Sequence, residues 1–129
     1  MRLRLLAAAA AMGILGGTSS AGAQEDAGRQ KLDHVLAVLR LRQSAASKTC
    51  LNAMNEVHQT EDQVRDLSKN GEGTSDKPNP SLDIARDVLG SDYDTATMAC
   101  APDANRACQT QTAGALAQAC GALGGPPAQ

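Results

Sequence analysis

The sequence predicts an all-α protein: a small helical bundle, stapled by disulfides. One observation is that residues 29–70 hold no Gly and no Pro, while apolar and small residues recur there at alternating steps of four and three. That spacing is the mark of an amphipathic helix. A second is that no stretch alternates β-branched and polar residues as a half-buried strand would. The third is four cysteines, Cys50, Cys100, Cys108 and Cys120, in a short chain.

The chain opens MRLRLLAAAAAMGILGGTSSAGAQ. Arg2 and Arg4 form a basic start, Leu5 to Leu15 an apolar run, and Ala21-Gly22-Ala23 a small-residue site before Gln24. This is the layout of a secretory signal peptide of bacterial type, residues 1–23, with cleavage expected after Ala23. The run spans roughly 16 Å as a helix, against a hydrocarbon core of ~30 Å, so a stable membrane anchor is not expected. Removing it leaves 129 − 23 = 106 residues, one domain, in a periplasmic or secreted setting.

Residues 24–123 form that domain. Its first element is a long amphipathic helix over about 29–69, whose seam runs from Leu32 through Leu36, Leu39, Gln43, Ala46 and Cys50 to Leu67. Ser44, Ser47 and Thr49 weaken helix propensity, so this element is either continuous or bent near 43–49. Residues 70–80 (NGEGTSDKPNP) read as a flexible linker. Asn79-Pro80 starts a helix that Gly90 closes, and Ser91-x-x-Asp94 resembles a capping box opening the next, up to Cys100. Ala101-Pro102-Asp103 reads as a corner and Asn105–Leu123 as the last helix. Residues 124–129 (GGPPAQ) are expected to be a disordered tail.

An even cysteine count in a small exported chain implies two disulfides. If Asn105–Leu123 is one helix, Cys108 and Cys120 stand roughly 18 Å apart along its axis and cannot pair. That also removes Cys50–Cys100. Of the two pairings left, Cys50–Cys120 with Cys100–Cys108 is favoured, because Cys100 and Cys108 flank the corner at Pro102.

The composition excludes several functions. The mature charge balance is mildly acidic, giving no electrostatic footprint for nucleic acid. Tyr93 is the only aromatic residue, which leaves nothing for bases or sugars to stack on. No Cys-x-x-Cys, nucleophile elbow or phosphate-cradling glycine loop occurs. No catalytic residue and no cofactor is therefore assigned, and the chain is read as a non-enzyme.

Cys50, Met54 and His58 stand four apart on one helix face, inviting a soft-metal reading. The rise from Cys50 to His58 is about 12 Å, too far for one ion to take both ends. Met54 with His58 remains as a two-ligand outside candidate for copper or zinc. Val38, Leu41, Leu51 and Met54 lie outside the seam and form the candidate partner or self-association surface. The expected function is protein–protein interaction, as an accessory component of an envelope or secretion assembly or as an inhibitor or immunity-type binder. The alternative is a small periplasmic metal-handling protein.

Overall fold

The computed structural model describes residues 21–71, 78–110 and 113–124. They form α1 (Ala21–Leu41), a single 3-10 turn (Gln43–Ala45), α2 (Lys48–Gly71), α3 (Pro80–Gln109) and α4 (Gly114–Gly124), with no strand among them. The all-α bundle with two disulfides is as expected. The predicted signal segment lies almost wholly outside the described residues, as do most of the linker and the tail.

α3 is the axle. α1 and α2 both pack on it rather than closely on each other, and α4 lies against α1 and α3. The pairs Ser47–Asp103, Cys50–Cys100 and Thr60–Asp92 run in opposite senses along the two chains, so α2 is antiparallel to α3. α1 runs parallel to α3. Gly28 faces Tyr93, and further along Val35 shares a cleft with Thr97 and Ala101. A Cβ at position 28 would come 3.3 Å from the Tyr93 Cβ, so the missing side chain lets α1 and α3 approach closely.

The buried face of α3 is Ala85, Leu89, Tyr93, Ala96, Cys100, Asp103, Ala104 and Ala107, mostly at steps of three and four. Its alanines suit a helix packed on several sides. Two apolar clusters result. Val35, Val38, Leu39, Cys50, Cys100, Ala104 and Ala107 lie toward the α1–α2 corner. Leu32, Ala53, Val57, Leu89, Tyr93 and Ala96 lie toward the other end, and Leu36 and Met54 touch both. Tyr93 is 2% exposed, and its hydroxyl donates to Glu61 Oε1 at 2.8 Å. Burial, then that hydrogen bond and the Glu61 charge, push the phenol well above its ordinary value of 10.

The helix starts follow local chemistry. Asn79 accepts the Leu82 N–H at 3.2 Å with Pro80 in the first turn, as expected. The element expected over 29–69, continuous or bent near 43–49, is bent there into two helices, because the chain turns extended at Ala46 and Ser47 recaps α2. Other boundaries differ from the sequence reading. Gly90 and the Ser91–Asp94 pair lie inside α3, which also runs through Pro102. Pro102 is exposed, so its ring points to solvent, and the Met98 carbonyl it leaves unpaired is on the hydrated side.

The expected final helix is likewise two. α3 ends at Gln109, Thr110 is extended, and Gly114 takes φ +61°. α4 therefore turns back on α3 instead of continuing it. This overturns the expected disulfides: the bonds are Cys50–Cys100 and Cys108–Cys120, with Cα separations of 4.6 and 5.7 Å. The elimination of Cys108–Cys120 assumed a continuous helix, and the break at 110–114 removes that assumption.

Peptide mapping without reduction yields fragments joined Cys50–Cys100 and Cys108–Cys120. Replacing Cys50 and Cys100 by Ala lowers the unfolding free energy by about 4 kcal/mol on the chain-entropy scale, and replacing Cys108 and Cys120 by about 3. Since Tyr93 is the only tyrosine and there is no Trp, ultraviolet absorbance reads its ionisation cleanly. The folded phenol resists ionisation while the unfolded one titrates at its ordinary value. Stability from this group is thus full below pH 10 and falls as pH rises toward the folded value, with phenolate absorbance lagging that of the unfolded chain.

Candidate functional site

The corner between α1 and α2 is built around four residues. The Ser47 Oγ accepts the Cys50 N–H at 3.2 Å, which caps α2. The Ser47 N–H in turn donates to Asp103 Oδ2 at 2.8 Å. A capping box normally takes this return bond from a Glu or Gln three residues on. Here that position is Cys50, bonded to Cys100, and Asp103, one turn beyond Cys100, supplies the carboxylate. Asp103 is 3% exposed and also accepts from Arg106 Nη1 at 3.3 Å. Hydrogen bonding by Ser47, with Arg106 beside it, holds its carboxyl below the usual carboxylate range in spite of burial.

This corner frames a groove of about 310 Å³ between α1 and α2. Leu36, Leu39, Ala46, Cys50, Leu51 and Met54 give it an apolar wall, and Arg40 and Gln43 form the polar edge. Leu51 is 53% exposed, and Leu41, at the end of α1, is 49% exposed. Arg42 and Lys48 are exposed on the same turn.

Three of the four residues expected at a partner surface thus lie at this corner: Leu41 and Leu51 exposed, and Met54 half-buried in the groove wall. Val38 does not. It is 0% exposed, packed in the cluster that holds Cys50 and Cys100. The sequence seam was drawn across the bend as one helix. Once the bend separates the two phases, α1 turns Gly28, Leu32, Val35, Val38 and Leu39 inward, because both α3 and α4 cover it.

Of the candidate metal pair, Met54 packs against both core clusters, whereas His58 is exposed with Nδ1 3.5 Å from Glu61 Oε2. Glu61 also accepts from Tyr93, so His58 belongs to a surface pair rather than to the Met54 groove. Among the described residues no three His, Cys, Asp or Glu side chains are grouped to hold a metal ion. The other histidine, His34, has Nδ1 3.2 Å from the Ala122 carbonyl oxygen, tying α1 to α4 beside a cleft of about 450 Å³.

Sequence reasoning missed the outer face of α3. Ile84 (64% exposed), Val88 (47%) and Met98 (70%) are large apolar side chains in solvent. With α3 continuous, Ile84, Val88, Ser91, Thr95, Met98, Pro102 and Asn105 recur at steps of four and three, and all are exposed. Splitting α3 at Gly90 and Pro102 hid that register. No protein-family model, curated protein or solved structure matches the chain.

Replacing Asp103 by Asn is expected to destabilise the fold by about 1–3 kcal/mol at neutral pH, from loss of charge-assisted bonds in a buried position. The folded carboxyl titrates below the ordinary 3.8, so its contribution is complete above that value. It is lost as pH falls through the folded value. Denaturant melts of wild type and Asp103→Asn at descending pH converge toward the acid limit; a constant gap would refute this.

Proposed function

We propose that the protein is exported and acts without catalysis, by holding a partner protein at the α1–α2 corner. The groove there carries the reading: it is apolar, concave, and backed by a covalently fixed wall. Exposed Leu51 in its wall, and Leu41 at the end of α1, add apolar surface that the chain's own helices leave uncovered. Short grooves of this kind take the apolar face of a helix or an extended segment. The opening residues support export. Two disulfides are compatible with an oxidising compartment, and no helix among the described residues is long and apolar enough to cross a membrane. An accessory role in an envelope or secretion assembly, or an inhibitor-type role, both suit such a binder.

A photo-crosslinking residue placed at Leu51 or at Leu41 in producing cells is expected to give a discrete protein adduct. The same probe at Gln63, exposed further along α2, is expected to give none. Equal labelling at all three positions, or none at Leu51, counts against the corner. Calorimetric titration with copper or zinc separates the alternative: a stoichiometric site abolished by His58→Ala would make metal handling the better reading.

A further inference from the structure

The outer face of α3 differs from those of its neighbours. α1 exposes Asp26, Arg29, Asp33 and Arg40, and α2 exposes Glu56, Asp62, Asp66 and Lys69, as solvated helix faces do. The stripe from Ile84 to Asn105 carries no charge in seven exposed positions, over roughly 32 Å of helix. Three of the five large apolar side chains exposed among the described residues lie on it. Its apolar part, Ile84, Val88 and Met98, points away from the buried face of α3, while Ser91 and Asn105 edge the clefts that face α1 and α4.

The border of this stripe on the α1 side carries a row of carboxylates. Asp83, Asp87 and Asp94 follow at steps of four and seven, all exposed, with Lys31 and Arg86 lining the cleft behind Asp87 and Asp94. Among the described residues, no Lys, Arg or His nitrogen lies within ion-pair distance of them. A second copy of this chain is a poor occupant. Two α3 helices packed antiparallel set the acidic row against itself, and packed parallel they set it against the flank holding Asp92. An anionic lipid surface is repelled by the same row. A partner helix with an apolar seam and Lys or Arg on its flank meets both features at once.

We infer that the outer face of α3 is a second docking surface, one that takes a basic amphipathic helix of a partner protein. Ile84, Val88 and Met98 supply the apolar contact, and Asp83, Asp87 and Asp94 select the charge and orient the helix. The face is separate from the α1–α2 corner and does not rest on the function proposed for it. If both are used, the protein is a bridge between two partners.

The probe is a synthetic peptide of about 20 residues, helical, with a leucine seam and lysine flanks, the length needed to cover the stripe. Its control has glutamate in place of every lysine. Fluorescence anisotropy with the full oxidised protein is expected to show saturable binding of the lysine peptide only, weakening as salt rises. Val88→Ser with Met98→Ser, or Asp83→Asn with Asp87→Asn and Asp94→Asn, is expected to weaken it about tenfold or more. Leu51→Ser, at the other surface, leaves it unchanged. All these positions are exposed, and circular dichroism checks that each variant keeps its helices. The inference is overturned by equal binding of the glutamate peptide, by binding indifferent to the Val88 and Met98 changes, or by no binding. Self-association that the Val88 and Met98 changes abolish would overturn it in favour of a second copy.

Discussion

The cross-link between Cys50 and Cys100 sits where the bundle has most need of a fixed point. α1 and α2 meet α3 from different sides and make little close contact with each other, so the α1–α2 hairpin has no seam of its own. The disulfide and the Ser47–Asp103 bond pin the first turn of α2 to one level of α3. Neither element alone does both jobs. The covalent bond fixes distance, and the cap bond fixes where α2 begins, because the Ser47 amide that donates to the Asp103 carboxylate is the one that opens the helix. Given that level, antiparallel register carries Ala53 against Ala96 and Thr60 to Asp92 without further instruction. Breaking the charge removes a buried carboxylate's partners rather than a surface pair, which is why it matters more than the exposed Arg65–Asp62 contact.

The bundle is otherwise light on large packers. With Phe and Trp absent, Tyr93 is the largest fully buried side chain, and around it the helices close on Ala and Gly. Small residues bring backbones together, but each contributes little transfer free energy on burial. The second disulfide compensates in a specific place. α4 has no buried residue of its own, only half-buried ones such as Leu116 and Ala119. An 11-residue helix with so little buried surface is marginal alone, and Cys108–Cys120 holds it on α1 and α3.

The parts of this architecture legible in the sequence are those set by strong local chemistry. The 3.5-residue seam gave α2 its buried face, through Cys50, Ala53, Val57 and Thr60, and Asn79-Pro80 gave the start of α3. Illegible parts turned on punctuation whose meaning depends on tertiary position. Pro102 is a breaker only if its missing bond faces the interior, and here it faces water. Gly90 ends nothing, whereas Gly114 lies in the left-handed region and follows two threonines that sequence reasoning passed over. Those misplaced breaks propagated. One joined Cys108 to Cys120 in an imaginary rod and excluded the true pairing, and others cut the α3 stripe into unrelated fragments. Of the four residues expected to share one surface, Leu41 and Leu51 are exposed and Met54 half-buried, and Val38 is buried because its helix rotates independently of α2.

The placement of the two candidate surfaces follows from the same mechanics. A docking surface loses less entropy on binding when its residues are already held in place. α3 is held by α1, α2 and α4 and by both disulfides, so its outer face stands on a braced helix. The corner groove is fixed differently, by having Cys50 in its wall and Ser47 at its turn. Apolar side chains at 47–70% exposure carry a standing solubility cost; three of them sit along braced α3, and Leu41 and Leu51 stand where α1 ends and α2 begins, on either side of the pinned corner. That placement, along α3 and at the corner, is the observation on which both proposed docking surfaces rest.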